Sequence, residues 1–152
     1  MPRLGVDRPL RDVLALARAR TGADAALVSE VHEGRETVRE IDQDGAFPSI
    51  VAGLSAPLEE TICERLLAGR VGNLVPDVRA DPDLGDLPMV QAAGVGAYLG
   101  VPLSVADART YLLCCIAREA RRDLGDDEVR FVRGLAGRVR ATLDVAGPAP
   151  FV

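Results

Sequence analysis

The chain alternates between two hydrophobic periodicities. Leu10, Val13, Leu14 and Ala17 recur at the i, i+3, i+4, i+7 spacing of one helical face, which predicts a helix from about Arg8 to Thr21. Asp7 stands before it as a cap, Pro9 lies in its first turn and Gly22 supplies the stop. At the other end, Val129, Val132, Leu135, Ala136, Val139 and Leu143 draw a second apolar stripe, and Asp126 and Asp127 start the helix that runs to about Leu143. Between these ends the pattern shortens. Ala25 to Val31 and Glu36 to Ile41 predict two strands joined by a turn at His32-Glu33-Gly34-Arg35. Val38 is the main interior apolar residue of the second strand, so that strand is expected to be exposed and near an edge. Asp42 to Ala56 carries Gly45, Pro48, Gly53 and Ser55 and predicts a loop.

Pro57 opens a predicted helix through Ala68, with Leu58, Ile62, Arg65 and Leu66 along one stripe and Gly69 as its stop. Asn73 to Val75 predicts a short strand, Pro76 to Asp86 an irregular loop, and Leu87 to Ala93 a short helix ended by Gly94. Val95 to Val105 and Thr110 to Ala117 are apolar almost throughout. They predict a strand pair at the centre of a sheet covered on both faces, connected through Ala106-Asp107-Ala108-Arg109. Short turns between successive strands imply an antiparallel sheet, and helices before and after it pack on one face. The expected class is therefore α+β in α/β/α layers, with the middle helix and long loop on the opposite face. The 152 residues form a single expected domain, with a core over about 8–143 and a tail over 144–152.

Composition narrows the function more than the fold. A net charge of −5 makes a nucleic-acid phosphate backbone an unfavourable partner. No apolar run approaches the ~20 residues that span a bilayer, and the N-terminus lacks the apolar core of a signal peptide, so a cytoplasmic location is expected. All 18 basic residues are Arg, which excludes Schiff-base lysines and a phosphate-loop lysine. The only histidine, His32, falls on the predicted hairpin tip. A Ser-His-Asp or Cys-His catalytic site would have to use it, multi-histidine metal sites are impossible, and neither a metal nor a cofactor is expected. The three cysteines are Cys63, Cys114 and Cys115. Their odd number and the lack of Cys-x-x-Cys give no disulfide framework. Cys114 and Cys115 point to opposite faces of one strand, so at most one of them faces a given pocket. As free thiols they read first as small buried hydrophobes.

The wording "PLEETICERLLAGR", "LVPDVRADPDLGDLP" and "VGAYLGVPLSVADARTYLLCC" resembles the GAF domains of sensory and signalling proteins. The likeness covers about Arg8 to Leu143. It is most similar to the modules that precede cyclic-di-GMP phosphodiesterase and similar outputs in actinobacteria, in which a Cys on the Pro-Leu-Glu-Glu-Thr helix and paired Cys on a later strand recur. Two positions depart from the family pattern: Ala108 follows Asp107 where Gly is usual, and Leu112 occupies a second frequent Gly position. The extra volume of Leu112 is expected to shrink or fill a pocket. The resemblance implies a ligand site between the sheet and the middle helix and loop. Its expected lining is Ile62, Cys63, Asp77, Leu87, Met89, Val90, Tyr98 and Cys114, an apolar wall with a few polar handles. A plainer reading stands beside it, with Leu87, Met89 and Val90 closing the core and Asp77 bonding only nearby backbone.

The resemblance points to a non-catalytic sensory or regulatory module that binds an unknown small molecule or a partner protein or effector domain. A ligand-free docking scaffold is the alternative. A thiol-based free methionine sulfoxide reductase is a more remote one, because the loop from Asp77 to Gly94 carries no cysteine. Bilin-binding members use a Cys-His pair that is missing here, and the only imidazole sits where no haem is expected. The two terminal stripes, with small Gly134, Gly137 and Ala141 on the last helix, suggest a homodimer. Leu10, Val13, Leu14, Val132, Leu135 and Val139 are the expected interface.

Overall fold

A computed structural model describes residues 7–104 and 109–146; side chains are described for 8–104 and 109–143. The long terminal stripes become α1 (Asp7–Thr21) and α4 (Asp126–Ala146). The side chain of the predicted cap Asp7 and the connection at 105–108 lie outside the described residues. Between the helices, β1 (Ala25–His32) and β2 (Arg35–Gln43) form the predicted hairpin. Glu33 (φ 52°) and Gly34 (φ 77°) both take left-handed backbone, the geometry of a two-residue turn that matches strand twist. His32 is exposed at this tip, with Nε2 3.2 Å from Glu33 Oε1.

The remaining strands are β3 (Ser55–Pro57), β4 (Leu74–Val75), β5 (Ala97–Ser104) and β6 (Thr110–Ala117), with the short helices α2 (Ile62–Leu67) and α3 (Pro88–Ala93). The sheet order is β3-β2-β1-β6-β5-β4, antiparallel at every pair. The two apolar strands β5 and β6, with β1, fill its middle, as the continuous hydrophobic runs require. Both edges are short, three and two residues, which limits the unpaired backbone they offer. Among the described residues no helix is long and apolar enough to cross a membrane.

Two expectations change. Pro57 to Ala68 is not one helix: Ser55–Pro57 is a strand, Leu58–Glu60 a 3-10 turn, and Thr61 is extended (φ −114°, ψ 155°) before α2 begins. The cause is capping. Thr61 Oγ1 accepts from Glu64 N at 3.3 Å and donates to Leu58 O at 2.7 Å, a local alternative to helical bonding that suits Thr. The strand β3 itself lies where a loop is expected, because Ser-Ala-Pro carries no alternation. It pairs with Arg35, Glu36 and Thr37 of β2, so β2 stands beside the edge strand, near the edge as expected.

The sheet separates two apolar cores. On one face, α1 and α4 bury Leu10, Val13, Leu14, Val132, Leu135 and Val139 against Ala26, Val28, Leu99, Val101, Leu113 and Cys115. None of those six helix residues is more than 6% exposed. They are spent on covering the sheet and are not available as a dimer interface, which corrects that assignment: the same stripe cannot pack on the sheet and on a second copy. Gly134, Gly137 and Ala141 are exposed on the outer side of α4. On the other face, the cover is made of α2, α3 and loops, with Phe47, Ile50, Val78 and Leu84 buried beneath them.

A β-bulge sets what each face receives from β2. Val28 pairs with Glu40 but Ser29 pairs with Val38, so Arg39 is the extra residue. The bulge turns both Arg39 and Glu40 towards the helices. Arg39 Nη1 donates to Glu30 Oε1 at 2.8 Å and to Tyr111 Oη at 3.1 Å, and Arg109 bonds the second oxygen of Glu30. Glu40 lies 3.8 Å from Arg11 of α1. Beyond the bulge the side-chain parity is reversed, and Val38 and Glu36 face the loop-covered side.

Candidate functional site

The loop-covered face holds a cavity of about 60 Å³ between the sheet and the α2/α3 cover. Strand parity supplies its base: Leu27 of β1 stands opposite Cys114 of β6, Ile116 follows two residues on, and Val38 and Glu36 come from β2 past the bulge. The edge strand and the loop before it add Ile50, Leu54 and Ala56. The cap of α2 and its first residues add Thr61, Ile62 and Cys63, and Met89 of α3 and Val95 close the remaining side. The wall is thus apolar except for Glu36, Thr61, Tyr98 and the two thiols.

Tyr98 organises the polar end. Its side chain folds back along β5 over Gly100; a Cβ at that glycine would stand 2.3 Å from Tyr98 Oη and 2.6 Å from Cζ. Gly100 is therefore required for this ring position. Gly100 pairs with Cys114, which brings the phenol hydroxyl to 3.5 Å from Cys114 Sγ. Cys63 Sγ lies 3.2 Å from the same hydroxyl, and either atom of that pair can donate. Cys63 Sγ also donates to Glu36 Oε2 at 3.1 Å, and Ser29 Oγ donates to that oxygen at 2.7 Å. The other carboxyl oxygen, Glu36 Oε1, is buried with no hydrogen-bond partner. The result is a chain of contacts, Ser29–Glu36–Cys63–Tyr98–Cys114, along one side of an apolar chamber.

The protonation of this chain follows from its burial. The Cys63 thiol is pushed well up, first by its hydrogen bond with Cys114, then by burial and by the charges of Cys114 and Glu36; the Tyr98 hydrogen bond opposes this. Burial, then the neighbouring thiols, pushes the Tyr98 phenol up as well. Cys63 and Tyr98 are therefore neutral at physiological pH, and Cys63 is not an activated nucleophile. Among the described residues no group of three His, Cys, Asp or Glu side chains is placed to hold a metal ion.

Five of the expected lining residues meet here: Ile62, Cys63, Met89, Tyr98 and Cys114. Three do not. Leu87 and Val90 are buried in the same core but close it without reaching the cavity, since α3 turns only Met89 towards it. Asp77 lies on an outer groove, where its carboxylate accepts from Ala80 N at 3.3 Å and Arg122 Nη2 at 3.0 Å. Its local backbone bond is the plainer role foreseen for it. Leu112 is fully buried in this core, so the volume it adds does fill space under the loops. The omitted residues divide by cause. Leu27 and Ile116 follow from strand parity once Cys114 is placed. Ile50 and Leu54 sit in an irregular segment with no period to read, and Ala56 in a three-residue strand too short to show one. Glu36 is hidden by the bulge, which moves it to the face that simple alternation denies it.

Comparison with known proteins agrees with this geometry. The family model described as "GAF domain" matches residues 4–144. The chain belongs to the GAF domain family. The fold is shared with the phycocyanobilin-bound GAF domain from a cyanobacterial phytochrome, at a TM-score of 0.71 and 19% identity, covering 90% of this chain and 83% of that one. The phycoerythrobilin-bound GAF domain from a cyanobacterial phytochrome gives 0.72 at 18% identity, covering 94% and 87%. The GAF domain region of a putative membrane protein from Geobacter sulfurreducens PCA gives 0.64 at 21% identity, covering 88% and 89%. Among curated proteins none matches the chain. The family makes the domain a sensory signalling module, and the α+β sandwich is the GAF fold.

Proposed function

We propose that this GAF domain is a non-catalytic sensor whose cavity between the sheet and α2/α3 binds a small, mainly apolar molecule. The observation that carries this reading is the cavity itself: an apolar chamber with a short polar chain, Glu36, Cys63, Tyr98 and Cys114, on one side. A Cys63 thiol held protonated by its hydrogen bond with Cys114 and by burial supports binding over catalysis. Transmission is assigned to α1 and α4, which pack on the reverse of the same strands. Contact with a second copy or an effector then falls to their outer face, where Leu16 is 42% exposed beside the exposed Ala15, Ala19, Gly134 and Gly137.

The bilins carried by the two phytochrome relatives are not adopted as the ligand. A four-ring chromophore needs a chamber of several hundred Å³, and this one offers about 60 Å³. The Tyr98 ring and Leu112, both buried, fill much of the space under the cover.

Native mass spectrometry of the protein as purified from cells, beside a denaturing run, tests the proposal. The expected result is an extra non-covalent mass in the wild type that is lost in Ala56→Leu, whose side chain grows into the chamber. The same apo mass for both proteins, with no small molecule shifting the wild-type melting point, would overturn it.

A further inference from the structure

Among the described residues that line the cavity Glu36 is the only carboxylate, and no cation among the described residues is paired with it. Its Oε2 already holds Ser29 and Cys63, while the buried Oε1 holds nothing. The neighbouring arginines on β2 are committed elsewhere: Arg35 Nε donates to Ser55 Oγ at 2.9 Å, and the bulge sends Arg39 through to Glu30 on the far face. A carboxylate that lines an apolar chamber with one buried oxygen unmet is costly, and a charged donor compensates it best. The chamber also has a size. At 10–15 Å³ for each water-sized unit, about 60 Å³ holds a body of roughly five non-hydrogen atoms.

Resting on the reading of this cavity as the ligand site, we infer that its ligand is a compact aliphatic primary amine. The hydrocarbon body packs on Val38, Ile50 and Ile116, and the ammonium pairs with the Glu36 carboxylate. The neutral Tyr98 and Cys63 groups offer no competing charge. An anionic ligand of the same size is repelled by Glu36. A neutral alcohol supplies a donor but no charge. The selection is thus between three head groups on one branched four-carbon skeleton.

Isothermal titration of the whole chain with isobutylamine, isobutanol and isobutyrate at pH 7.5 reads this directly, at matched ionic strength. Isobutylamine is expected to bind about tenfold more tightly than isobutanol, since a hydrogen bond to a charged group exceeds a neutral one by about that factor. Isobutyrate is expected not to bind. In Glu36→Gln the amine preference should vanish while isobutanol binding persists, and the wild-type series decides even if that variant folds poorly. Equal binding of amine and alcohol, or an amine preference that survives in a folded Glu36→Gln, would overturn the amine assignment and leave the cavity as a ligand site. Failure of all three molecules to bind would overturn both.

Discussion

The two faces of this sheet are covered in different ways, and the proposed function rests on the contrast. On one face, two long helices lie flat on the central strands and bury Leu14, Val132 and Val139 with no exposed surface beyond 2%. The polar groups on that side, Glu30, Arg39 and Tyr111, are closed on one another. On the other face, two six-residue helices and long loops make the cover. Short elements cannot present a continuous ridge to a sheet, so their packing leaves a chamber, and its lining includes a carboxylate with one buried oxygen unpaired. Rigidity on one side and slack on the other is the arrangement a sensor needs. The neighbouring thiols Cys114 and Cys115 report the two environments from one strand, since they point to opposite faces.

The largest test of this contrast is a charge placed on the helix-covered face. Val139→Glu buries a carboxylate with no partner prepared for it and is expected to lose about 3–5 kcal/mol, unfolding the domain in a chemical denaturation series. A folded variant that merely changes oligomeric state would restore the helix stripes as an interface.

The next test uses pH. Burial pushes the Cys115 thiol up to about 12, from an ordinary value of 9.0. Between those values the unfolded chain releases this proton and the folded chain keeps it. Stability from this group is therefore complete below pH 9 and falls as pH rises, by at most about 1.4 kcal/mol per unit. Urea midpoints measured at pH 8, 10 and 11 are expected to drop steadily, and Cys115→Ala is expected to flatten the slope. An identical slope in that variant would show that the buried thiol does not govern the loss.

The smallest effect sharpens the contrast most. Ala26, fully buried on the helix side, has no room to grow, and Ala26→Leu is expected to cost about 1–3 kcal/mol by overpacking. Ala56 borders the chamber, and Ala56→Leu is expected to stay within about 0.5 kcal/mol of wild type. Equal losses in thermal melts of the two variants would mean that the chamber is as tightly packed as the other face.

Much of this was legible in the chain. The stripes of α1 and α4, the Glu33-Gly34 turn and the apolar runs of β5 and β6 are local patterns whose period alone assigns the element, and each appears where its period places it. Cys63, Tyr98 and Cys114 were reachable through the family resemblance. Local pattern does not say what an apolar stripe is packed against. The six residues expected between two copies turned out to lie between helix and sheet, because both destinations demand the same stripe.

Tertiary structure alone decided the rest. The Thr61 cap split a plausible helix, and a three-residue edge strand formed only because β2 had backbone groups to share with it. One extra residue at Arg39 reversed the parity of β2 and carried Glu36 into the chamber. The bare backbone of Gly100 gave the Tyr98 ring its place beside two thiols from different elements. Sequence period fixes which elements form, since that depends on neighbours three or four positions away. The site depends on register, bulge and the shape of the cover, which are set by contacts between residues distant along the chain.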